Sequence, residues 1–256
     1  MSIPDLQPSG GFTWAQAPWG PVLQCGGLLP SADHFFTAAS LRLKDRPDEW
    51  QAVAEYAGVQ RQNLLLLRQI HGNHVVTARA ARTGLWRPPE ADAIISDDVS
   101  AALVIQVADC APILLTDTRR RAVAAIHAGW RSTVQRIVAR TVAQMAQQFG
   151  SQPADLIAAI GPSLGACCGE MGEEVVAAFR SAGHEEAEIE RWFTRAAGER
   201  PHFNLWDANR DQLVRAGLRP DAIHIAALCT RTHKDVFHSY RATGPGAGRM
   251  AAVIRV

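Results

Sequence analysis

No CxxC pair occurs anywhere in the 256 residues, which excludes a four-cysteine zinc knuckle. There are only five cysteines, Cys25, Cys110, Cys167, Cys168 and Cys229, and an odd, scattered set is not a disulfide framework. Reduced thiols are expected, one or more of them doing chemistry. No uninterrupted apolar run approaches the ~20 residues of a membrane-spanning helix. Neither sign of charge dominates. Lys plus Arg is 26 and Asp plus Glu is 25, a formal net charge of +1, which makes no electrostatic case for nucleic acid or an anionic membrane. The opening residues, MSIPDLQPSGGFTW, carry no basic segment ahead of an apolar stretch, so no signal peptide is expected and the expected location is the cytoplasm. Repeats, low-complexity tracts and charge blocks are also missing, and Gly and Pro punctuate the chain evenly. One domain over residues 1–256 is therefore expected.

What is present is ordinary for a globular chain: 47% hydrophobic and 20% charged residues. β-like runs are expected at Gly20–Gln24 and Asn63–Ile70, with a helix near Asp48–Ala57. Ala91–Ser96, Leu103–Ala108, Pro112–Thr116 and Ala122–His127 read as strands, and Pro112 predicts a strand end or bulge. Val134, Ile137, Val138, Val142 and Met145 share a face, predicting one helix over Val134–Phe149. Leu156–Ile160 reads as a strand and Gly172–Arg180 as a helix with Glu173 and Glu174 at its positive end. Asn204–Ala216 reads as a helix N-capped by Asn204. Ala222–Leu228, Phe237–Tyr240 and Met250–Val256 read as strands. Strands in runs and in alternation with helices predict an α/β (α+β) fold with mixed sheets.

Three polar groups close apolar runs. His71 follows LLLLRQI, Cys110 follows LVIQVAD, and His127 follows AVAAI. A doubly buried strand has little reason to end in imidazole or thiol unless a site lies there. Two histidines and one cysteine suit zinc with a fourth position left open for catalysis. The same residues also suit Cys–His nucleophilic catalysis, with Cys110 as thiolate, His127 or His71 as base and Asp109 or another carboxylate as orienter. A third alternative is plain core residues, since free cysteine often packs as a small hydrophobe. The H-x-E and P-C-x-x-C signature of nucleobase deaminases is missing. No His-x-His pair is present to build the copper cluster that reduces oxygen.

Two glycine-bearing segments complete the inventory. Ile160–Cys168 is a turn after a strand that lacks the GK[ST] of a Walker loop, and Cys167–Cys168 reads as packing. His238–Arg241 and Gly244–Arg249 supply Arg241 and Arg249, either of which suits phosphate or carboxylate. Trp130–Arg131 offers a stacking face and a cation beside His127.

Taken in order, Gln69–Gly72, Val107–Pro112 (VADCAP), His127–Arg131 (HAGWR), Ile160–Cys168 (IGPSLGACC) and Ser239–Arg241 with Gly248–Arg249 resemble the successive signatures of the multicopper polyphenol oxidase (laccase-domain) family, whose members are regarded as zinc-dependent purine nucleoside phosphorylases. The resemblance runs from about His71 to the C-terminus. It implies mixed sheets flanked by helices and a metal held by His71, Cys110 and His127, the same three residues being catalytic. The metal would be zinc, with copper as the alternative. The implied activity is phosphorolysis of adenosine and inosine, and of methylthioadenosine, to free base and ribose 1-phosphate. Adenosine deamination and copper-dependent phenol oxidation are also linked to the family. Purine nucleoside and phosphate are the expected partners, and a monomer or homodimer the expected state.

Breaking an N-glycosidic bond builds positive charge on the ribose and negative charge on the purine. Arg241 and Arg131 are expected to offset phosphate charge, and Glu170 or Asp109 to bind ribose hydroxyls or base. The chain departs from the family pattern at Ser132 (usually glycine), Gly169 (commonly tyrosine) and Ala242 (frequently arginine), and residues 26–50 lack the usual Ser-Leu-Asn-Leu and Gly-Asp pattern. A Cys–His hydrolase and a non-catalytic, metal-stabilised nucleoside-binding module are the remaining alternatives.

Overall fold

The computed structural model describes residues 3–83 and 88–256. The first strands are β1 (Phe12–Ala17), β2 (Gly20–Cys25), β3 (Asp33–Thr37), β4 (Leu64–Leu65), β5 (Val75–Thr77), β6 (Ala93–Ser96) and β7 (Ala102–Val107). They are followed by β8 (Ala111–Asp117), β9 (Val123–Ala128), β10 (Leu156–Ile160), β11 (Phe193–Thr194), β12 (His202–Phe203), β13 (Ile223–Ile225) and β14 (Met250–Arg255). One six-stranded sheet runs β1-β2-β3-β14-β7-β4 and a second runs β13-β10-β8-β9-β6-β5. Parallel pairs (β4–β7, β5–β6, β10–β13) sit beside antiparallel ones, so both sheets are mixed, as expected.

Side-chain alternation explains the stacking. In β7, Leu103 and Ile105 face a core shared with Leu114, Val123 and Ala159 of the second sheet, while Ala102 and Val104 face the opposite way. In β8, Leu114 faces that shared core and Ile113 and Leu115 face outward. The central strands are buried on both faces and read as continuous apolar runs. Helix α1 (Pro47–Tyr56) covers the outer face of the first sheet through Trp50, Val53 and Ala54. Beyond it lie α2 (Ala78–Thr83), α3 (Trp130–Val134), α4 (Ile137–Phe149), α5 (Glu173–Ser181), α6 (Glu186–Trp192), α7 (Leu205–Arg215) and α8 (Tyr240–Thr243). Val138, Val142, Phe179, Ile189 and Leu213 from α4 to α7 cover the outer face of the second sheet.

Several expectations need correction. The helix expected over Val134–Phe149 is two helices, because Arg136 between them is left-handed (φ 56°). Its guanidinium donates to the carbonyls of Ala182 (3.0 Å) and Gly183 (2.9 Å), just past the end of α5. Phe237–Tyr240 is not a strand. Ser239 instead N-caps α8, its hydroxyl accepting from the Ala242 amide at 3.2 Å. Within Asn63–Ile70 the strand is limited to Leu64–Leu65, and beyond it Arg68 makes one isolated bridge to Glu90 before the chain reaches His71. Within Ala222–Leu228 only Ile223–Ile225 pairs, flanked by the turn at Pro220–Ala222 and a left-handed Ala227. Asn204 caps α7 as expected, accepting from the Asp207 amide at 3.2 Å. Pro112 sits second in β8, at the strand end where its missing N–H is tolerated.

Candidate active site

The crossing from the first sheet to the second builds the site. β7 ends at Val107, the chain passes through Ala108–Cys110, and β8 begins in the other sheet. Asp109 makes that step with φ 89°, uncommon for a residue other than glycine. In the β8–β9 ladder Pro112 stands opposite His127 and Ala111 opposite Ala128. Cys110 therefore lies beside Gly129, the N-cap of α3. A Cβ at Gly129 would stand 2.8 Å from Cys110 Sγ and 3.3 Å from His71 Cδ2, so this position must lack one. His71 arrives on a left-handed backbone (φ 60°). Gln69, two residues earlier, ties that segment to β7: its amide donates to the Gln106 carbonyl (2.7 Å) and accepts from the Gln106 N–H (2.8 Å).

One ligand atom each from His71, Cys110 and His127 lies within 4.8 Å of the others. The two rings meet edge to face, centroids 4.8 Å apart. Asp92, fully buried one residue before β6, organises both. Its carboxylate bonds His127 Nδ1 at 2.8 Å and accepts the backbone N–H groups of His71 (2.9 Å) and Gly72 (2.7 Å). With Nδ1 committed, Nε2 is the ring nitrogen of His127 left to bind a ligand. Burial works against the Asp92 charge, yet His127 and the two amides outweigh it and hold the carboxyl below its usual range. Burial likewise opposes a charge on Cys110, but His127 and His71 prevail and pull the thiol down to about 6. For His127, burial is outweighed by the Cys110 thiolate and Asp92, which push the imidazole up to about 9. A thiol held below its usual range and two imidazoles, one of them anchored by a buried carboxylate, match what zinc takes at a catalytic centre.

The trio opens into a pocket of about 610 Å³. Leu67, Leu164, Met171, Phe203 and Leu205 line its apolar wall, and Arg131, Tyr240, Arg241 and Arg249 its polar rim. The guanidinium of Arg131 lies 4.2 Å over the Trp130 ring. Arg241 is held at both ends. Its N–H donates to Asp109 Oδ2 (2.6 Å), and its Nη1 donates to the carbonyls of Cys168 (3.2 Å) and Glu170 (3.0 Å). Asp109 also lines the pocket, and its Oδ1 accepts from Thr230 Oγ1 at 2.6 Å.

Of the residues singled out in the sequence, His71, Cys110, His127, Arg131 and Arg241 share this pocket. The Glu170 side chain is not part of its lining: the carboxylate pairs with Arg200 at 3.4 Å, and only the Glu170 backbone serves the site, through Arg241. His74 bonds the Glu90 carbonyl and His238 the Leu41 carbonyl, so neither joins the trio. Asp92 and Thr230 are the residues that sequence reasoning missed, and the tie that Gln69 makes to Gln106 was not read from its place in the first motif. For Asp92 a signal existed: a carboxylate within the apolar run ADAIIS must be paired if it is buried. At Gly169, where the family commonly has tyrosine, Phe203 passes close by. A Cβ there would stand 2.5 Å from the Phe203 carbonyl oxygen.

The chain is 37% identical over 258 aligned residues to a protein from Deinococcus radiodurans named purine nucleoside phosphorylase, covering 93% of this chain and 94% of the relative. A Bacteroides thetaiotaomicron protein of the same name is 38% identical over 64% of this chain, and the match spans 60% of that relative's length. A protein named adenosine deaminase RL5, from an unknown prokaryotic organism, is 33% identical over 77% of this chain and 76% of its own. Among solved structures, the hypothetical protein YfiH of Bacillus licheniformis superposes with a TM-score of 0.83 at 25% identity, covering 95% of this chain and 98% of that one. The sequence profile described as multi-copper polyphenol oxidoreductase laccase matches residues 43–256, and the chain belongs to that family.

Proposed function

We propose that this protein is a zinc-dependent purine nucleoside phosphorylase, cleaving adenosine and inosine, and methylthioadenosine by the same chemistry, to free base and ribose 1-phosphate. One arrangement carries the reading: two imidazoles and a thiol converge in a pocket of about 610 Å³ that also holds Arg131, Arg241 and Arg249. That volume lies within the ~300–1,000 Å³ of pockets that enclose a small organic ligand. The names of the relatives support the same chemistry.

Zinc held by His71, Cys110 and His127 would supply Lewis-acid and template chemistry when bound. Asp92 keeps His127 oriented, so that Nε2 serves as donor. Arg241, braced by the Cys168 and Glu170 carbonyls, presents a fixed guanidinium plane to phosphate. Arg131, stacked on Trp130, adds a second cation against the charge that phosphate brings to the ribose. The apolar wall of Leu164, Met171 and Phe203 suits the purine face and excludes water from the breaking bond.

Copper is the alternative metal, because it outcompetes zinc at most nitrogen sites. Phenol oxidation coupled to oxygen reduction is the weaker reading. Among the described residues the only other three-ligand cluster is Cys167, Cys168 and Cys229, which has no histidine. Adenosine deamination is the second activity to test, favoured by the relative of that name.

The test incubates purified protein with adenosine or inosine, with and without phosphate, and resolves products by chromatography. Phosphate-dependent release of adenine or hypoxanthine is expected, with loss of at least about 100-fold in His71→Ala. Base release that ignores phosphate would make the enzyme a hydrolase. Inosine formed from adenosine without phosphate would move the assignment to deamination, and no turnover would leave a metal-stabilised binding module.

A further inference from the structure

A second group of sulfurs lies outside the pocket lining. Cys167 and Cys168 occupy the short turn Ala166–Cys168, after the Gly161–Gly165 loop. Cys229 comes from the segment after β13, bridged to that loop where Ser163 pairs with Cys229. The three Sγ atoms lie within 4.8 Å of one another. Cys167 and Cys168 Sγ are 3.8 Å apart, and each is 3.5 Å from Thr232 Oγ1. Cys167 is exposed, Cys168 half-buried and Cys229 buried, so the cluster opens to solvent on one side.

The 3.8 Å between Cys167 and Cys168 is the spacing of two ligands of one ion, and Cys229 lies within 4.8 Å of both. Three sulfurs bound at about 2.3 Å to one centre stand about 3.8 Å apart in a tetrahedral site and about 4.0 Å apart in a trigonal one. A disulfide explains the grouping less well. Consecutive Cα atoms across a trans peptide are about 3.8 Å apart, short of the ~4.4 Å at which disulfide geometry begins, so Cys167 and Cys168 do not suit each other. Any other pairing strands one thiol. The donor set is all sulfur, with no imidazole or carboxylate, and such a set selects thiophilic ions over hard ones.

We propose that Cys167, Cys168 and Cys229 form a second, structural metal site for one thiophilic closed-shell cation, zinc or cuprous copper, with the Thr232 hydroxyl alongside. The site staples two segments that brace the pocket. The Cys168 carbonyl accepts from Arg241, and Thr230, next to Cys229, donates to Asp109, which in turn accepts the Arg241 N–H. Binding displaces the thiol protons, so affinity falls as pH falls.

The test uses the full chain carrying Cys110→Ser, which removes the thiolate of the first trio and separates this result from the phosphorylase reading. Reduced, metal-stripped protein is titrated anaerobically with Cd(II), a spectroscopic substitute for Zn(II), and in a second arm with Cu(I). Thiolate-to-metal absorption in the ultraviolet should saturate at one equivalent per chain. Adding Cys167→Ser or Cys229→Ser should abolish that equivalent, while adding Cys25→Ser should leave it. Because Cys167 is exposed, its variant tests the site even if Cys229→Ser does not fold. Saturation with Cd(II) alone assigns a zinc-type site, and with Cu(I) alone a cuprous one. No saturating equivalent in either arm overturns the proposal, as does one that survives Cys167→Ser together with Cys168→Ser. A disulfide from Cys229 to either neighbour in freshly purified protein would also overturn it.

Discussion

Asp92 shows how much one side chain arranges. It fixes the His127 tautomer, receives the amides that hold His71 left-handed, and through His127 lowers the Cys110 thiol. A pH test follows for metal-stripped protein. Thiolate is the species that reacts with alkylating agents. With Cys110 near 6, its alkylation should be almost at full rate at pH 7, half-maximal near pH 6, and fall about tenfold for each unit below. Asp92→Asn takes the charge away from His127, so the imidazolium that stabilises the thiolate weakens and the half-point moves upward. The same change should weaken metal binding by about 10- to 100-fold, the usual cost of losing an outer-shell carboxylate. An unchanged alkylation profile in Asp92→Asn, followed by mass spectrometry of the Cys110 peptide, would contradict this coupling.

At the scale of elements, α8 is the piece most exposed to a single change. It is four residues long, and its Ser239 cap is what starts it. Ser239→Ala should cost about 1 kcal/mol of stability, read as a lower Tm. The more specific effect is on Arg241, whose N–H reaches Asp109 from the first turn of this helix. On the phosphorylase reading, KM for phosphate should rise several-fold with kcat changed less, because the lost interaction positions a ligand rather than the breaking bond. Ser239→Asp or Ser239→Thr, which can still cap, should restore both quantities. The break between α3 and α4 belongs to this scale too. The apolar spacing continues through it, while the backbone at Arg136 turns to let its guanidinium reach the end of α5.

Among the described residues, two six-stranded mixed sheets share one apolar layer, with helices outside each and a two-stranded β11–β12 ladder besides. The candidate site sits where β7 hands the chain from one sheet to the other, so its geometry depends on both. Leu114, fully buried in the shared layer with Leu103 and Ile105 across from it, tests that dependence. Leu114→Ala should destabilise by about 2–5 kcal/mol through lost burial and a residual cavity. Trp50 and Trp192 lie in the two opposite outer layers. In urea, fluorescence from both should report the same lowered midpoint. Separate midpoints would mean that the sheets do not unfold together. Among the described residues no helix is long and apolar enough to cross a membrane.

Much of this was legible in the chain itself. Strands buried on both faces leave unbroken apolar runs, so the central strands and the mixed class could be read directly, and α4, α5 and α7 announced themselves through spacing and caps. The residues His71, Cys110 and His127 stood out because imidazole and thiol are out of place at the ends of such runs. Other features depend on partners distant in sequence, which a local pattern does not record. Asp92 matters because β6 pairs with β9, which brings it to His127. Arg241 is aimed by carbonyls at Cys168 and Glu170, and the Glu170 carboxylate turned out to serve Arg200 instead of the pocket. Cys229 joins Cys167 and Cys168 only because β13 runs parallel to β10 and delivers the following segment to the Ser163 loop. Sequence by itself determined which groups were available and which segments would be buried, since both follow from residue chemistry and period. Only the tertiary structure decided which groups meet, because sheet pairing and chain crossing bring together residues that no local spacing relates.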